Sequence, residues 1–292
     1  MPEGPEVAIT SDFLKEKLKG KKLTKIEVKT GRYTHQQLKG KELIDGTHTV
    51  INISSKGKML YFELIDKKDK NRLLYILSTL GLSGGWDIVD KGDTRVIFTF
   101  DDINVYYTDQ RNFGTIEITN NIHTFNKRIN AISPDLLKTD YDDKILKERV
   151  NKKQKDKIIK ILMDQNKGIG SGIGNYLAPE ILYRSKISPH RLISSITNDE
   201  WKTLVFNIKY LVKLAYYNNK IGYMEKFGNY IDIHRKKIDK GQLPDYHSAI
   251  KMKDDEFQFM VYRKKKDPLN NIVIADKILG TRTTYWVPNV QL

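Results

Sequence analysis

The sequence predicts an α+β chain of more than one domain, and three observations carry that expectation. Residues from about Leu23 to Ile118 read as short strands parted by glycine- or aspartate-rich turns, at the spacing of an all-β sandwich or barrel. From about Phe125 the apolar period changes to that of a helix, and from about Phe257 the pattern returns to short β-like pieces. At 292 residues the chain can bury a real core and has the length of about two domains.

The elements follow in order. Gly4-Pro5 opens a helical pattern carrying Val7, Phe13, Leu14 and Leu18, with Pro5 suited to a first turn. Strands are expected at Met59 to Leu64, Leu73 to Leu80, Arg95 to Phe100 and Asn104 to Thr108, with turns at Gly84-Gly85, Gly92-Asp93 and Asp101-Asp102. Asp156 to Gln165 carries Ile158, Ile159, Leu162 and Met163 on one helical face, and Tyr176 to Arg184 reads as another helical stretch. Trp201 to Tyr217 is a longer amphipathic run, preceded by the capping-box pattern Thr197-Asn198-Asp199-Glu200. Later turns fall at Asp267-Pro268-Leu269-Asn270 and Leu279-Gly280. There is no internal repeat, and the lysine-rich patches at 151–160 and 263–266 each fit a solvated face.

Composition narrows the function. Lysine and arginine number 51 against 36 aspartates and glutamates, a net charge of +15. Residues 1–130 hold 21 cations and 17 anions, leaving 30 and 19 for residues 131–292, so the second half carries a net +11. Such basicity points to a polyanion, with nucleic acid the leading partner and an acidic membrane surface second. A merely solubilising charge is the alternative. No run is long and apolar enough for a membrane span, and the acidic N-terminus is unlike a secretory signal. Cysteine is absent, which excludes disulfides, thiol nucleophiles and cysteine-ligated zinc, and the six histidines form no metal-like pair, so no metal or cofactor is expected.

Five segments carry candidate chemistry. In Met1-Pro2-Glu3-Gly4-Pro5-Glu6, removal of Met1 would make the Pro2 nitrogen a free secondary amine, able to attack an electrophilic carbon and form an iminium. Glu3 beside it could donate or accept a proton, and the positive end of the first helix would favour its carboxylate. The alternative is a frayed terminus with helix-capping residues. Lys58, in Ser55-Lys56-Gly57-Lys58, precedes a strand and reads first as an exposed lysine. Leu80-Gly81-Leu82-Ser83-Gly84-Gly85 is a turn with one apolar tip, Leu82. Asp109-Gln110-Arg111-Asn112-Phe113-Gly114 is either an ordinary strand edge or a wedge, with Phe113 stacking between bases and Arg111 replacing a vacated partner. Gly168-Ile169-Gly170-Ser171-Gly172-Ile173-Gly174-Asn175 precedes a helix, where N–H groups can approach an anion. It lacks the Lys-Ser/Thr ending of a nucleotide P-loop, so a DNA phosphate fits better than ATP, with Asn175 as a side-chain contact. A turn made only for packing is the other reading.

These motifs, with Gly172-Ile173-Gly174-Asn175-Tyr176-Leu177 and Glu180, stand in the order and spacing of the Fpg/Nei family of bifunctional DNA glycosylases, which the chain resembles from residue 1 to 291. Within the family it looks like the Nei-like branch, and its AT-rich-genome composition is similar to a giant-virus member such as that of Mimivirus. The resemblance implies an N-terminal catalytic β-sandwich with flanking helix (1–122), a helix-two-turns-helix DNA-binding domain (123–255) and a β-hairpin finger (256–292). Where relatives carry four zinc-binding cysteines, this chain has Leu269, Ile272, Val287 and Val290, so it resembles the zincless fingers, with these four expected to pack together in place of the metal.

The implied activity is removal of oxidised bases, pyrimidines and hydantoins above 8-oxoguanine, from double-stranded DNA, with single-stranded DNA as a further expected substrate, by a monomer acting at the genome inside the cell. Pro2 attacks C1′, Glu3 protonates the sugar ring, and Lys58 holds a phosphate near the reacting sugar. Asn175, Gly174 and Arg282 engage the backbone, and Leu82, Arg111 and Phe113 fill the gap left by the extruded nucleotide. Glu6 is counted with Asn175, Gly174 and Arg111 among the DNA-binding residues; it organises the N-terminal helix close to the nucleophile, with a proton-shuttle role as the alternative. The chain departs from the family pattern at Asn112, where a second arginine is common, at Pro179 early in its helix, and in a stretch before Gly172 two residues longer than usual. A catalytically silent DNA-damage-binding protein of the same fold is the competing reading, which the presence of Pro2-Glu3 disfavours; an RNA-binding protein is more distant.

Overall fold

The computed structural model describes residues 2–252 and 255–292; Met1, on whose removal the amine at Pro2 depends, lies outside them. The chain forms two compact units, one of Pro2 with Glu6–Ala131 and one of Glu3–Pro5 with Ile132–Leu292.

Helix α1 (Gly4–Leu18) buries Val7, Leu14 and Leu18, as its apolar spacing predicts. In the first unit it is followed by eight strands: β1 (Leu23–Val28), β2 (His48–Lys56), β3 (Met59–Asp66), β4 (Leu73–Thr79), β5 (Gly85–Asp87), β6 (Thr94–Phe100), β7 (Ile103–Thr108) and β8 (Thr115–Thr119). They pair antiparallel in two sheets, ordered β1-β6-β7-β5 and β2-β3-β4-β8. A sandwich rather than a barrel forms because two separate apolar faces exist. Along β3 and β6 every second residue is buried, which turns Leu60, Phe62 and Leu64 and then Val96, Phe98 and Phe100 inward. The Phe62 ring lies 5.2 Å from Trp86 and 6.2 Å from Phe100, and Trp86 Nε1 donates to Ser78 Oγ at 3.0 Å, so the indole is buried with its polar atom satisfied. On the outer face of the second sheet, α2 (Ile122–Asn130) lays Phe125 against Tyr75 at 4.2 Å, and its N-terminus is capped by Asn121, which accepts from His123 and Thr124.

The second unit is helical with a terminal hairpin: α3 (Asp143–Val150), α4 (Ile158–Met163), α5 (Leu177–Ser185), α6 (Asn198–Tyr217), α7 (Tyr230–Asp239), then β9 (Ile274–Leu279) paired with β10 (Arg282–Trp286). The capping box at Thr197 and Glu200 is present, and Arg191 adds a bidentate pair to Glu200 at 2.6 and 3.0 Å. Pro179 is tolerated because it is the third residue of α5, where an N–H has no partner within the helix. Helix α7 lies in a stretch to which no element was assigned from sequence; Ile231, His234 and Ile238 on its buried face were the available signal.

The packing expected of the finger is corrected. Val287 is buried with Val261 and Val273, and Val290 packs against them, but Leu269 and Ile272 are 73 % and 70 % exposed. The turn carrying them is held by polar bonds instead. Asp267 is 5 % exposed; its carboxylate accepts from the N–H groups of Leu269 (2.9 Å) and Asn271 (2.8 Å), the Asn271 amide (2.9 Å) and the Tyr183 hydroxyl (3.0 Å). Gln291 closes the other side, accepting from Val287 N–H at 2.8 Å and donating to the Ile187 carbonyl at 3.0 Å. None of the four aliphatic side chains carries a donor atom for zinc, so the turn does not fit that metal.

Candidate active site

The first unit ties two loops together, the turn at 80–84 and the segment 109–114. Asp109, 1 % exposed, accepts from Ser83 Oγ at 2.8 Å and Gly114 N–H at 2.7 Å, while Ser83 Oγ accepts the Arg111 N–H at 3.0 Å. Arg95 donates to the Asp109 carbonyl at 2.8 Å and the Gln110 carbonyl at 3.2 Å, tying the 109–114 loop to β6. The turn at 80–84 touches this loop so closely that a Cβ on Gly81 would lie 2.7 Å from Gly114 N. Two apolar tips result, Leu82 at 37 % and Phe113 at 61 % exposed, beside the exposed side chain of Arg111. Asn112 has φ 55, a left-handed conformation that asparagine adopts more readily than arginine. Pro2 and Glu6 are buried, and with Glu6 only 1 % exposed its expected place among the DNA-binding residues is corrected. Lys58 is half-buried in the two-residue turn between β2 and β3.

In the second unit the glycine segment serves a different anion from the one expected. Glu3 is fully buried, and its carboxylate accepts from the N–H groups of Gly174 (2.5 Å), Tyr176 (2.8 Å) and Leu177 (3.4 Å). The carboxylate thus meets the N-terminal end of α5, while Glu3 itself immediately precedes α1. The Gly174 N–H is therefore committed to Glu3, which corrects its assignment as a phosphate donor. Gly4 N–H donates to the Gly172 carbonyl at 2.8 Å, and a Cβ on Gly4 would stand 2.7 Å from Gly172 Cα, so glycine is required for this approach. Asn175 is partly exposed, and its side chain hydrogen-bonds Tyr262. Burial pushes the Tyr262 phenol up, opposed by Arg263 and by that bond.

Glu180 has a role that the sequence did not reveal. It is 1 % exposed on α5 and accepts from the N–H groups of Met260 (2.9 Å), Val261 (3.0 Å) and Tyr262 (2.8 Å). Burial raises its carboxyl, with the three amides pulling the other way. A glutamate among the apolar residues of a short helix was the signal that a partner lay elsewhere. Through Glu180, the start of α5 that holds Glu3 is joined to the chain leading into the hairpin. Arg282 is exposed beside the Gly280-Thr281 tip of that hairpin, paired across it with Leu279. Among the described residues no helix is long and apolar enough to cross a membrane, and no group of three or more His, Cys, Asp or Glu could hold a metal ion.

Comparison with known proteins bears on both units. The formamidopyrimidine-DNA glycosylase N-terminal, H2TH and C-terminal domains match residues 1–116, 132–226 and 248–292. The formamidopyrimidine-DNA glycosylase of Mycoplasma genitalium is 30% identical over 257 residues, 81% of this chain and 86% of that one. The fold is that of MutM (Fpg) from Thermus thermophilus, with a TM-score of 0.74 at 20% identity over 99% of this chain and 98% of that chain. Lactococcus lactis Fpg, solved with DNA containing an oxidised pyrimidine, gives a TM-score of 0.70 at 25% identity over 99% of each chain. The chain belongs to the formamidopyrimidine-DNA glycosylase family.

Proposed function

We propose that this protein is a base-excision-repair DNA glycosylase and abasic-site lyase that uses Pro2 as its nucleophile. The observation that carries the reading is the fully buried Glu3 carboxylate, held by three backbone N–H groups immediately after Pro2 in the chain. A carboxylate so fixed suits proton transfer better than simple acid catalysis. As the Pro2 nitrogen bonds to C1′ it becomes a cationic adduct; Glu3 takes its proton and returns it to the ring oxygen O4′ as the sugar opens. The bond from C1′ to the base breaks, the base leaves with the electron pair, and an iminium remains. A secondary amine gives an iminium that cannot be neutralised at nitrogen, so it persists as an electron sink. Loss of a C2′ proton then expels the 3′ phosphate, and a second elimination expels the 5′ phosphate.

Leu82, Arg111 and Phe113 fill the space of the extruded nucleotide, offsetting an unstacking cost of a few kcal/mol, on the order of the usual value. Lys58, Asn175 and Arg282 contact phosphates, Arg282 from a finger that works without zinc. We assign residues 1–122 to the catalytic sandwich, 123–255 to the helical DNA-binding domain and 256–292 to the finger. Oxidised pyrimidines and hydantoins are the proposed substrates, a choice that rests on the resemblance to the Nei-like branch; Fpg relatives have been solved with an oxidised pyrimidine and with purine lesions alike. Placement in the Nei-like branch rests on the cysteine-free finger, and likeness to a giant-virus member rests on composition.

The test is incubation of Met1-processed protein with oligonucleotides carrying thymine glycol, a hydantoin or 8-oxoguanine. Excision of the first two, leaving a gap with phosphate on both ends, is expected. Binding without release of any base would instead identify a silent damage-binding protein. Elemental analysis should find no stoichiometric zinc.

A further inference from the structure

Gln165 lies between α4 and the glycine segment, and the reaction described above gives it no part. Its side-chain amide makes three bonds: Oε1 accepts the Gly172 N–H at 2.9 Å, and Nε2 donates to the carbonyls of Ile173 at 2.7 Å and Met163 at 2.9 Å. Gly172 and Ile173 are the two residues before Gly174, whose N–H meets Glu3 at 2.5 Å. The Gly172 carbonyl also receives the Gly4 N–H at 2.8 Å, so the same residue is tied to the one after Glu3. Other groups hold the segment upstream: Arg149 donates to the Ile169 carbonyl at 3.1 Å, and Ser171 Oγ donates to the Ser133 carbonyl at 2.8 Å. Gln165 alone among these side chains reaches both Gly172 and Ile173. Only a side-chain amide offers an acceptor and two donors at one planar end; a carboxylate lacks the donors and an ammonium the acceptor.

We propose that Gln165 is a positioning residue for Glu3, fixing the 172–174 turn so that the carboxylate keeps the geometry needed to move a proton between Pro2 and the sugar. This rests on the catalytic reading of Pro2 and Glu3. Without the amide the turn relaxes, the Gly174 N–H swings off the carboxylate, and base release slows while the grip on DNA is retained.

The experiment compares wild type, Gln165→Met and Gln165→Glu as full, Met1-processed chains. It reads single-turnover base excision, affinity for DNA holding an uncleavable abasic analogue, and melting temperature. For Q165M, excision should fall about ten- to a hundredfold, as misplacement of a reacting group by an ångström can cause, with affinity changed less than about threefold. For Q165E, the rate relative to wild type should rise as pH is lowered from about 8 to about 5.5, because a protonated carboxyl regains one donor beside its acceptor. The proposal is overturned if both variants excise at wild-type rates at every pH. It is equally overturned if their losses only track lost affinity or folded fraction. Should Q165M not fold, the pH response of Q165E decides. Wild-type protein that releases no base would sink the catalytic reading itself; active wild type with unaffected variants sinks this inference alone.

Discussion

Glu3 and Gly4 show how far a two-residue motif depends on distant backbone. The carboxylate of Glu3 is satisfied by residues 174–177, and Gly4 meets Gly172 with no room for a side chain. Gly4→Ala would set a methyl 2.7 Å from Gly172 Cα, where no flexible side chain can yield. It should destabilise the protein by about 1–3 kcal/mol, read by urea denaturation, and slow base release. Unchanged stability would mean the two backbones can part without cost. Glu3→Gln would turn an N–H₂ toward backbone donors, and base release should be lost while DNA binding persists. The chemistry of Pro2-Glu3 was legible in the sequence because it resides in residue type and adjacency. The three amide partners were not, since they lie about 170 positions away and use backbone atoms that any residue supplies. The commitment of the Gly174 N–H to Glu3, which displaced the expected phosphate contact, was hidden for the same reason.

Among the elements, the finger hairpin departs furthest from its apolar pattern. Four aliphatic residues at the metal-ligand positions suggested a small hydrophobic plug, yet only Val287 and Val290 turn inward. The difference lies in Asp267. Burial opposes its ionisation, but bonds from Asn271, Tyr183 and the Leu269 amide hold its carboxyl below the usual range. Asp267→Ala should therefore cost about 2–3 kcal/mol by orphaning several donors at once, and a loss below about 0.5 kcal/mol would return the credit to apolar packing. In the sequence, Asp267-Pro268-Leu269-Asn270 was readable as a turn, but nothing local said that Tyr183 would reach it. The start of α6 offers a pH test. The hydrogen bond from Arg191 draws the Glu200 carboxyl from 4.5 down to about 2. A lowered value contributes stability above the unfolded value and loses it as pH falls toward the folded one. Between pH 4.5 and about 2 the wild type should thus lose melting temperature faster than Glu200→Gln, and parallel acid curves would contradict the pairing. Capping box, strands and major helices were legible because period and turn residues set them locally.

At the scale of the whole molecule, charge is unevenly divided: residues 131–292 carry 30 cations against 19 anions. DNA affinity should accordingly fall steeply with salt, and Arg282→Ala should lower the log–log slope by about one while weakening all sequences alike. An unchanged slope would place Arg282 off the phosphates. This polyanion preference was legible from composition alone, whereas the order of the strands in the two sheets was not, because pairing depends on which apolar faces meet. The central claim is that the Pro2 nitrogen is the nucleophile, and its most direct measurement is borohydride trapping on DNA with an abasic site, followed by peptide mapping of the adduct. Protein lacking Met1 should yield a stable adduct on the peptide that begins at Pro2, and protein retaining Met1 should yield none. An adduct mapped to a lysine, or none from the processed protein, would contradict the account.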